Sequence, residues 1–317
     1  MRVLVTGGNG FIGRWVCEAL DLVGDVPVVF DRARHAVAPY EQVIGDVRDR
    51  VAVKEAVAHV EGVIHLAAVL GTSETIDDPY PAIETNVLGA VNVMEAVAAY
   101  DVPMVMTGVG NHAMRSAGAG PYTITKSAAE DLARTYRAYR GAAISVVRPV
   151  NAYGPRQSIA APYGSSKVRK IIPSFVCRAL AGHPIEVYGD GSQVSDCVYV
   201  QDVARVLRET LHKSALLDDG FPEPIEVGPR DAEVVTVQDI ARAVVAEVAK
   251  QTGRAPVEIR NVPMRRGEVP GVRVSADPAR LTEYLAMTPE RFAPLWFGIQ
   301  RTVEWYREQW LPRWCEE

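Results

Sequence analysis

Tyr122 and Lys126 stand four residues apart in Tyr122-Thr123-Ile124-Thr125-Lys126-Ser127-Ala128-Ala129-Glu130, a stretch that reads as the start of a helix. That spacing puts both side chains on one face. An ammonium close to a phenol stabilises the phenolate, so the expected chemistry is a tyrosine general base, its pKa lowered by the lysine, usable near neutral pH. The pair follows the fifth of a series of apolar runs, where a side chain in a dinucleotide fold can reach the reacting end of the cofactor.

The residues that would hold such a cofactor lie at the N-terminus. Val3-Leu4-Val5-Thr6 runs straight into glycines at the first, fourth and seventh positions of a turn, Gly7, Gly10 and Gly13. Gly7 allows the tight bend, Gly10 leaves room for a phosphate to approach the backbone, and Gly13 lets the following helix pack on the strand. The helix that opens at Phe11 and Ile12 then points its free N–H groups and partial positive charge at a pyrophosphate. Asp31 closes the second apolar run, Val26-Pro27-Val28-Val29-Phe30, eighteen residues after Gly13. A carboxylate there accepts both ribose hydroxyls and repels a 2′-phosphate, which favours NAD over NADP. Arg32 and Arg34 pull the other way, since a guanidinium beside the ribose is how a 2′-phosphate is accommodated.

Elements that position these residues follow from the hydrophobic pattern. Strand-like runs at 2–6, 26–30, 41–44, 62–68, 102–107 and 143–148 alternate with helical patterns, which indicates an α/β, doubly wound parallel sheet. Val87 to Tyr100 is apolar on most sides and needs covering nearly all round, by its own sheet and by another subunit. After Arg148-Pro149 prolines and glycines become dense, marking a second, smaller α/β lobe. Ile225-Glu226-Val227 reads as one more sheet strand. The expected division is a dinucleotide-binding domain of 1–150 plus about 198–229, and a substrate domain of about 151–197 and 230–317.

Composition sets outer bounds. The 317 residues are 48% hydrophobic and 23% charged with a net charge of −5, as in a soluble globular protein without a nucleic-acid partner. No apolar run is long enough for a bilayer, and the N-terminus enters a core strand at once, leaving no place for a cleavable signal. Cys17, Cys177, Cys197 and Cys315 lack metal-ligand or redox spacing, so no metal is expected and the thiols read as reduced, in the cytoplasm.

Taken in order, several segments resemble the extended short-chain dehydrogenases/reductases, specifically the NAD-dependent nucleotide-sugar epimerase/dehydratase group. They are Thr6 to Gly13, Gly45-Asp46-Val47, His65-Leu66-Ala67-Ala68, Asn86-Val87-Leu88-Gly89, Tyr122 with Lys126, Arg148 to Gln157, Val187 to Gln193, Asp196 to Val200, and Arg265-Arg266-Gly267-Glu268. The resemblance implies that Asp46 and Val47 lie along the adenine and that Ala67 lines the cofactor channel, with Leu66, Ala68 and Asn86 also on the cofactor. It implies catalytic roles for Tyr122 and Lys126, and that Asn151, Arg265 and Glu268 face the nucleotide of a sugar nucleotide. A UDP-sugar is the default substrate, and a homodimer through helices at 87–100 and 122–140 is implied as well.

Three departures qualify the resemblance. The usual Ser-Ser or Ser-Thr pair after the fifth strand is missing, leaving Thr107 as the only hydroxyl in Val105-Met106-Thr107-Gly108-Val109-Gly110. The Asp-Glu pair of the dehydratases is missing too, which disfavours 4,6-dehydration. The connection from Thr107 to Tyr122 is short and carries Asn111, His112 and Arg115; His112 could donate in place of the serine, and a solvated loop histidine is the simpler reading. Ser195 stands where the family commonly has a phosphate-binding arginine, and Lys167, Arg169 or Lys170 could replace it, against a solvated basic helix start.

The expected function is epimerisation by transient oxidation. Tyr122 removes a proton from a sugar hydroxyl at C4, Lys126 keeps the phenolate charged, and Thr107 polarises the developing carbonyl. A keto-sugar reductase would use the same residues, and an NAD-binding scaffold or sensor would need only the fold.

Overall fold

A computed structural model of the chain describes residues 1–36, 39–110, 119–229, 235–268, 271 and 273–316. It divides into two units: Met1–Pro149 with Val200–Val227 and Asp277–Thr288, and Val150–Tyr199 with Gly228–Ala276 and Pro289–Glu317.

The first unit is built on seven parallel strands. In chain order they are β1 (Arg2–Thr6), β2 (Val26–Asp31), β3 (Glu41–Ile44), β4 (Gly62–His65), β5 (Met104–Thr107), β6 (Ile144–Pro149) and, after β7 (Ile185–Tyr188) and β8 (Val194–Ser195) of the second unit, β9 (Ile225–Val227). Across the sheet the order is β3-β2-β1-β4-β5-β6-β9. Val3, Leu4, Val5, Val63, Ile64, Met104, Val105 and Met106 are inaccessible, as expected where helices cover both faces of a parallel sheet. The strand order reverses between β1 and β4, so the turns after these strands flank the switch point where open α/β sheets bind ligands.

β4 stops at His65, short of the expected 62–68. The Leu66 N–H donates to the Thr6 carbonyl at 3.0 Å, the last rung of the β1–β4 ladder. Along Val87 to Tyr100 the chain's own packing covers one side. A wide π-helical turn, Ile83–Gly89, leads into helix Ala90–Tyr100; Val93, Met94 and Val97 are buried, but Leu88 is 55% exposed.

Segment Asp277–Thr288, expected in the second lobe, groups with the first unit. The Phe221 and Tyr284 rings stack at 4.7 Å, and Lys213 Nζ donates to the Leu285 carbonyl at 2.9 Å, placing a cation at the C-terminus of helix Ala279–Leu285.

In the second unit, helices Ile171–Leu180 and Val237–Thr252 pack together over Val176, Leu180, Ile240 and Val244. Two short parallel pairs complete it: β7 with β10 (Ile259–Val262), and β8 with β11 (Arg273–Val274). Thr236 and Asp239 cap the second helix reciprocally, which fixes where it starts.

Candidate active site

The glycine turn has the geometry its spacing predicts. Gly7 has φ +69°, and a Cβ there would fall 2.9 Å from the Ala67 backbone nitrogen. A Cβ on Gly13 would lie 2.3 Å from the Gly7 carbonyl oxygen, so only glycine lets helix Phe11–Asp21 approach β1 this closely. Gly10 is the N-cap and supplies no side-chain cap, leaving the first-turn N–H groups at Phe11 and Ile12 without the usual internal acceptor. Asp31 is fastened beside the turn, accepting from the Asn9 N–H at 3.1 Å and the Arg32 N–H at 2.8 Å. A carboxylate has acceptor capacity beyond two bonds, so ribose hydroxyls can still be taken. The Gly7 bend, the uncapped helix start and this carboxylate fit a dinucleotide.

Thr6 ties the two sides of the switch point together. Its hydroxyl accepts from the Leu66 and Ala67 N–H groups at 3.2 and 3.3 Å and lies 2.7 Å from His65 Nδ1. Burial, followed by the charge of Lys126, pushes the His65 imidazole down to about 3, so it stays neutral and can accept the Thr6 proton. Ala67 and Ala68 follow directly, half-buried at the end of β4.

Three residues implied to touch the cofactor also make contacts within the chain. The Asp46 carboxylate is held by Arg48, with Nε at 3.1 Å and Nη2 at 2.8 Å, and those bonds keep it below the usual carboxylate range. Val47 is buried against Gly89, where a Cβ would come within 2.7 Å of its side chain. Asn86 accepts from the Val69 N–H at 2.8 Å and donates to the Val69 carbonyl and Thr125 Oγ1 at 3.0 and 3.1 Å, which uses both its amide hydrogens. Thr125 in turn bonds the Pro121 and Tyr122 carbonyls, so Asn86 braces the helix start that carries Tyr122. Asn86→Ala should therefore cost roughly 1–3 kcal/mol in urea unfolding, because it leaves the partly buried Val69 groups without these partners.

Tyr122 and Lys126 occupy the first turns of helix Pro121–Arg140, as their spacing predicts. Their titration differs from expectation. Burial, then the negative charge of Glu130, pushes the Tyr122 phenol up to about 12, and burial pushes the Lys126 ammonium down to about 8, with Glu130 opposing. Desolvation penalises both charged forms; at Lys126 it outweighs the attraction of Glu130, and at Tyr122 the Glu130 charge adds to it. Thr107 ends β5, 9% exposed. The next two backbone donors point inward: Gly108 N–H to the Val147 carbonyl and Val109 N–H to Glu130, both at 2.8 Å. Asn111, His112 and Arg115 lie outside the described residues.

In the second unit the Asn151 amide donates to the Asp196 carbonyl at 2.9 Å. Arg265 and Glu268 pair with one another, Nε to Oε1 at 3.0 Å. Arg265 also lies over the Tyr188 ring at 5.2 Å, and Arg169 bonds the Tyr188 hydroxyl from the other segment. Lys167 is exposed and Lys170 half-buried, so of the three basic candidates Arg169 is the one that shares an aromatic ring with Arg265. Two residues of this arrangement carry no role in the sequence reading. Tyr188 lies inside one of the family-like segments, and Glu130 continues the four-residue spacing from Tyr122 and Lys126, which is the signal that could have found it.

Comparison with known proteins identifies the family. The model of the NAD dependent epimerase/dehydratase family matches residues 3–228, and the chain belongs to that family. The low-salt glycan biosynthesis protein Agl12 of Haloferax volcanii is 31% identical over 268 aligned residues, covering 77% of this chain and 83% of that protein. A dTDP-glucose 4,6-dehydratase of Mycolicibacterium smegmatis is 27% identical, covering 98% and 95%. Among solved structures, a UDP-glucose 4-epimerase of Thermus thermophilus in complex with NAD is 29% identical, covers 98% of this chain and 100% of its own, and superposes with a TM-score of 0.78. No helix among the described residues is long and apolar enough to cross a membrane.

Proposed function

We propose that this chain, a member of the NAD-dependent epimerase/dehydratase family, is a sugar-nucleotide 4-epimerase. The observation that carries the reading is Tyr122 with Lys126 on the face of helix Pro121–Arg140, combined with a chain that has no Asp or Glu between Thr107 and Tyr122. Elimination of water needs an acid and a base beside the sugar, which that stretch does not provide. Bound NAD⁺ supplies a hydride acceptor that returns the hydride to the same sugar carbon. Tyr122 Oη takes the hydroxyl proton as the C4–H bond gives up its hydride, and hands a proton back when the keto-sugar is reduced from its other face. Lys126 supplies positive charge for the phenolate, and the Thr107 hydroxyl donates to the developing carbonyl.

For the diphosphate, Arg169 and Arg265 are proposed to act from either side of Tyr188, replacing the arginine absent at Ser195, with Asn151 and Glu268 on the nucleotide. Arg169→Gln should raise the dissociation constant for a UDP-sugar about tenfold by isothermal titration, and Lys167→Gln should leave it unchanged. A homodimer is proposed through the faces bearing Leu88 and Ile124, each more than half exposed.

Native mass spectrometry of freshly purified protein with a panel of sugar nucleotides tests the function. Retained NAD is expected in the native spectrum, and, because C4 epimers have equal mass, interconversion of UDP-sugars without net cofactor consumption is expected by NMR of the same mixtures. One NAD(P)H consumed per product would instead establish a reductase.

A further inference from the structure

Helix Pro121–Arg140 places a third ionisable group in line with the catalytic pair: Tyr122, Lys126 and Glu130 are successive four-residue steps along one face. Glu130 is 2% exposed, an unusual position for a carboxylate without partners. It is fully engaged. Oε1 accepts from the Val109 N–H at 2.8 Å, and Oε2 accepts two N–H groups of Arg148, at 2.9 and 2.5 Å. Arg148 also reaches Glu226 Oε1 at 3.3 Å, and Glu226 Oε2 accepts from the Asp277 N–H at 2.9 Å.

The backbone after β5 is shaped around this carboxylate. A Cβ on Gly108 would lie 2.3 Å from Glu130 Oε1 and 2.9 Å from the Arg148 side chain, so residue 108 has to be glycine while Glu130 holds its place. The two residues that follow Thr107 are thereby pinned from below. Facing Glu130 are Tyr122 and Lys126 on its own helix and Arg148 from β6; Arg134, Arg137 and Glu223 line the small cavity beside it, and His65 stands near Lys126.

We propose that Glu130 is a positioning residue for the Tyr122–Lys126 chemistry: its carboxylate fixes the Gly108–Val109 backbone next to Thr107 and stands as the counter-charge of Lys126 one turn away. The catalytic part of this inference rests on the epimerase reading; the backbone and charge parts do not. A lysine this deeply buried loses its proton readily, and a fixed negative charge one turn away offsets that loss. The same charge makes the Tyr122 phenolate harder to form. Both titrations should therefore move to lower pH when Glu130 is neutralised.

Glu130→Gln is the test, with Glu130→Gln/Arg148→Met as the variant that folds if an unpaired guanidinium proves too costly. Two readouts do not need turnover. The Tyr122 phenolate, taken as the ultraviolet titration difference from the matching Tyr122→Phe protein, should form about one pH unit earlier, and hydrogen exchange at Val109 should quicken about tenfold. With substrate, the break in the kcat–pH profile should move down by about one unit with KM nearly constant. A folded, NAD-retaining variant with reduced amplitude but unmoved titrations and profile overturns the proposal. Failure of the native chain to turn over any sugar nucleotide would instead reject the epimerase reading, and the phenolate and exchange readouts would still decide the role of Glu130.

Discussion

Tyr122→Phe is expected to lower kcat by about three orders of magnitude while NAD remains bound and the unfolding midpoint stays close to native. The substitution deletes one oxygen from a half-buried ring and leaves its hydrocarbon in place, so packing at the start of helix Pro121–Arg140 survives. Only the group proposed to exchange a proton with the sugar is removed. The pH dependence gives a second check on the same atom. With the phenol pushed up to about 12, the phenolate fraction rises tenfold per unit across the ordinary range; with Lys126 pushed down to about 8, the ammonium is lost above that value. A rate that needs both forms climbs with pH up to about 8 and levels off beyond it, where the gain in phenolate and the loss of ammonium offset one another. Steady-state kinetics on the native chain should show this climb, and Tyr122→Phe should show a flat residual. Native turnover that persists in Tyr122→Phe would remove tyrosine chemistry from the mechanism, and absence of turnover in both would leave the NAD-binding scaffold.

The elements are readable in the sequence because their physics is local. Val3 to Gly13 contains a buried strand, a bend that needs positive φ and a helix start, and each leaves its mark within eleven residues. Tyr122 and Lys126 are readable for the same reason, since helical spacing is a property of neighbours. What the sequence conceals depends on partners far along the chain. Asn86 is read for the cofactor alone, and the bonds it makes to the Val69 backbone, seventeen residues away, leave no mark in the sequence. The charge state of Tyr122 and Lys126 looks like a matter of two residues, yet burial and the charge of Glu130 set it. Segment Asp277–Thr288 looks like second lobe by its position along the chain, and its grouping is decided by Phe221 and Lys213, more than fifty residues earlier.

Gly13→Ala separates the two things the glycine turn does. Its added methyl would meet the Gly7 carbonyl oxygen at 2.3 Å and Gly8 Cα at 2.6 Å, both backbone atoms that cannot swing aside. Relief requires helix Phe11–Asp21 to move off β1, where Val16, Cys17 and Leu20 are buried, and that should destabilise the first unit by roughly 3 kcal/mol or more in denaturant unfolding. The N–H groups at Phe11 and Ile12 move with the helix, so affinity for NAD should fall about 100-fold, or ~2.7 kcal/mol. Gly10→Ala is the contrast. Its φ of −70° suits any residue, and its Cβ would touch the Gly7 oxygen at 2.9 Å with little else nearby. That methyl would stand where the pyrophosphate is proposed to approach the backbone, so NAD affinity should drop with a much smaller loss of stability. Equal stability losses in the two variants would show that the turn is shaped by packing alone, and a Gly10→Ala protein that binds NAD normally would move the pyrophosphate away from this helix start.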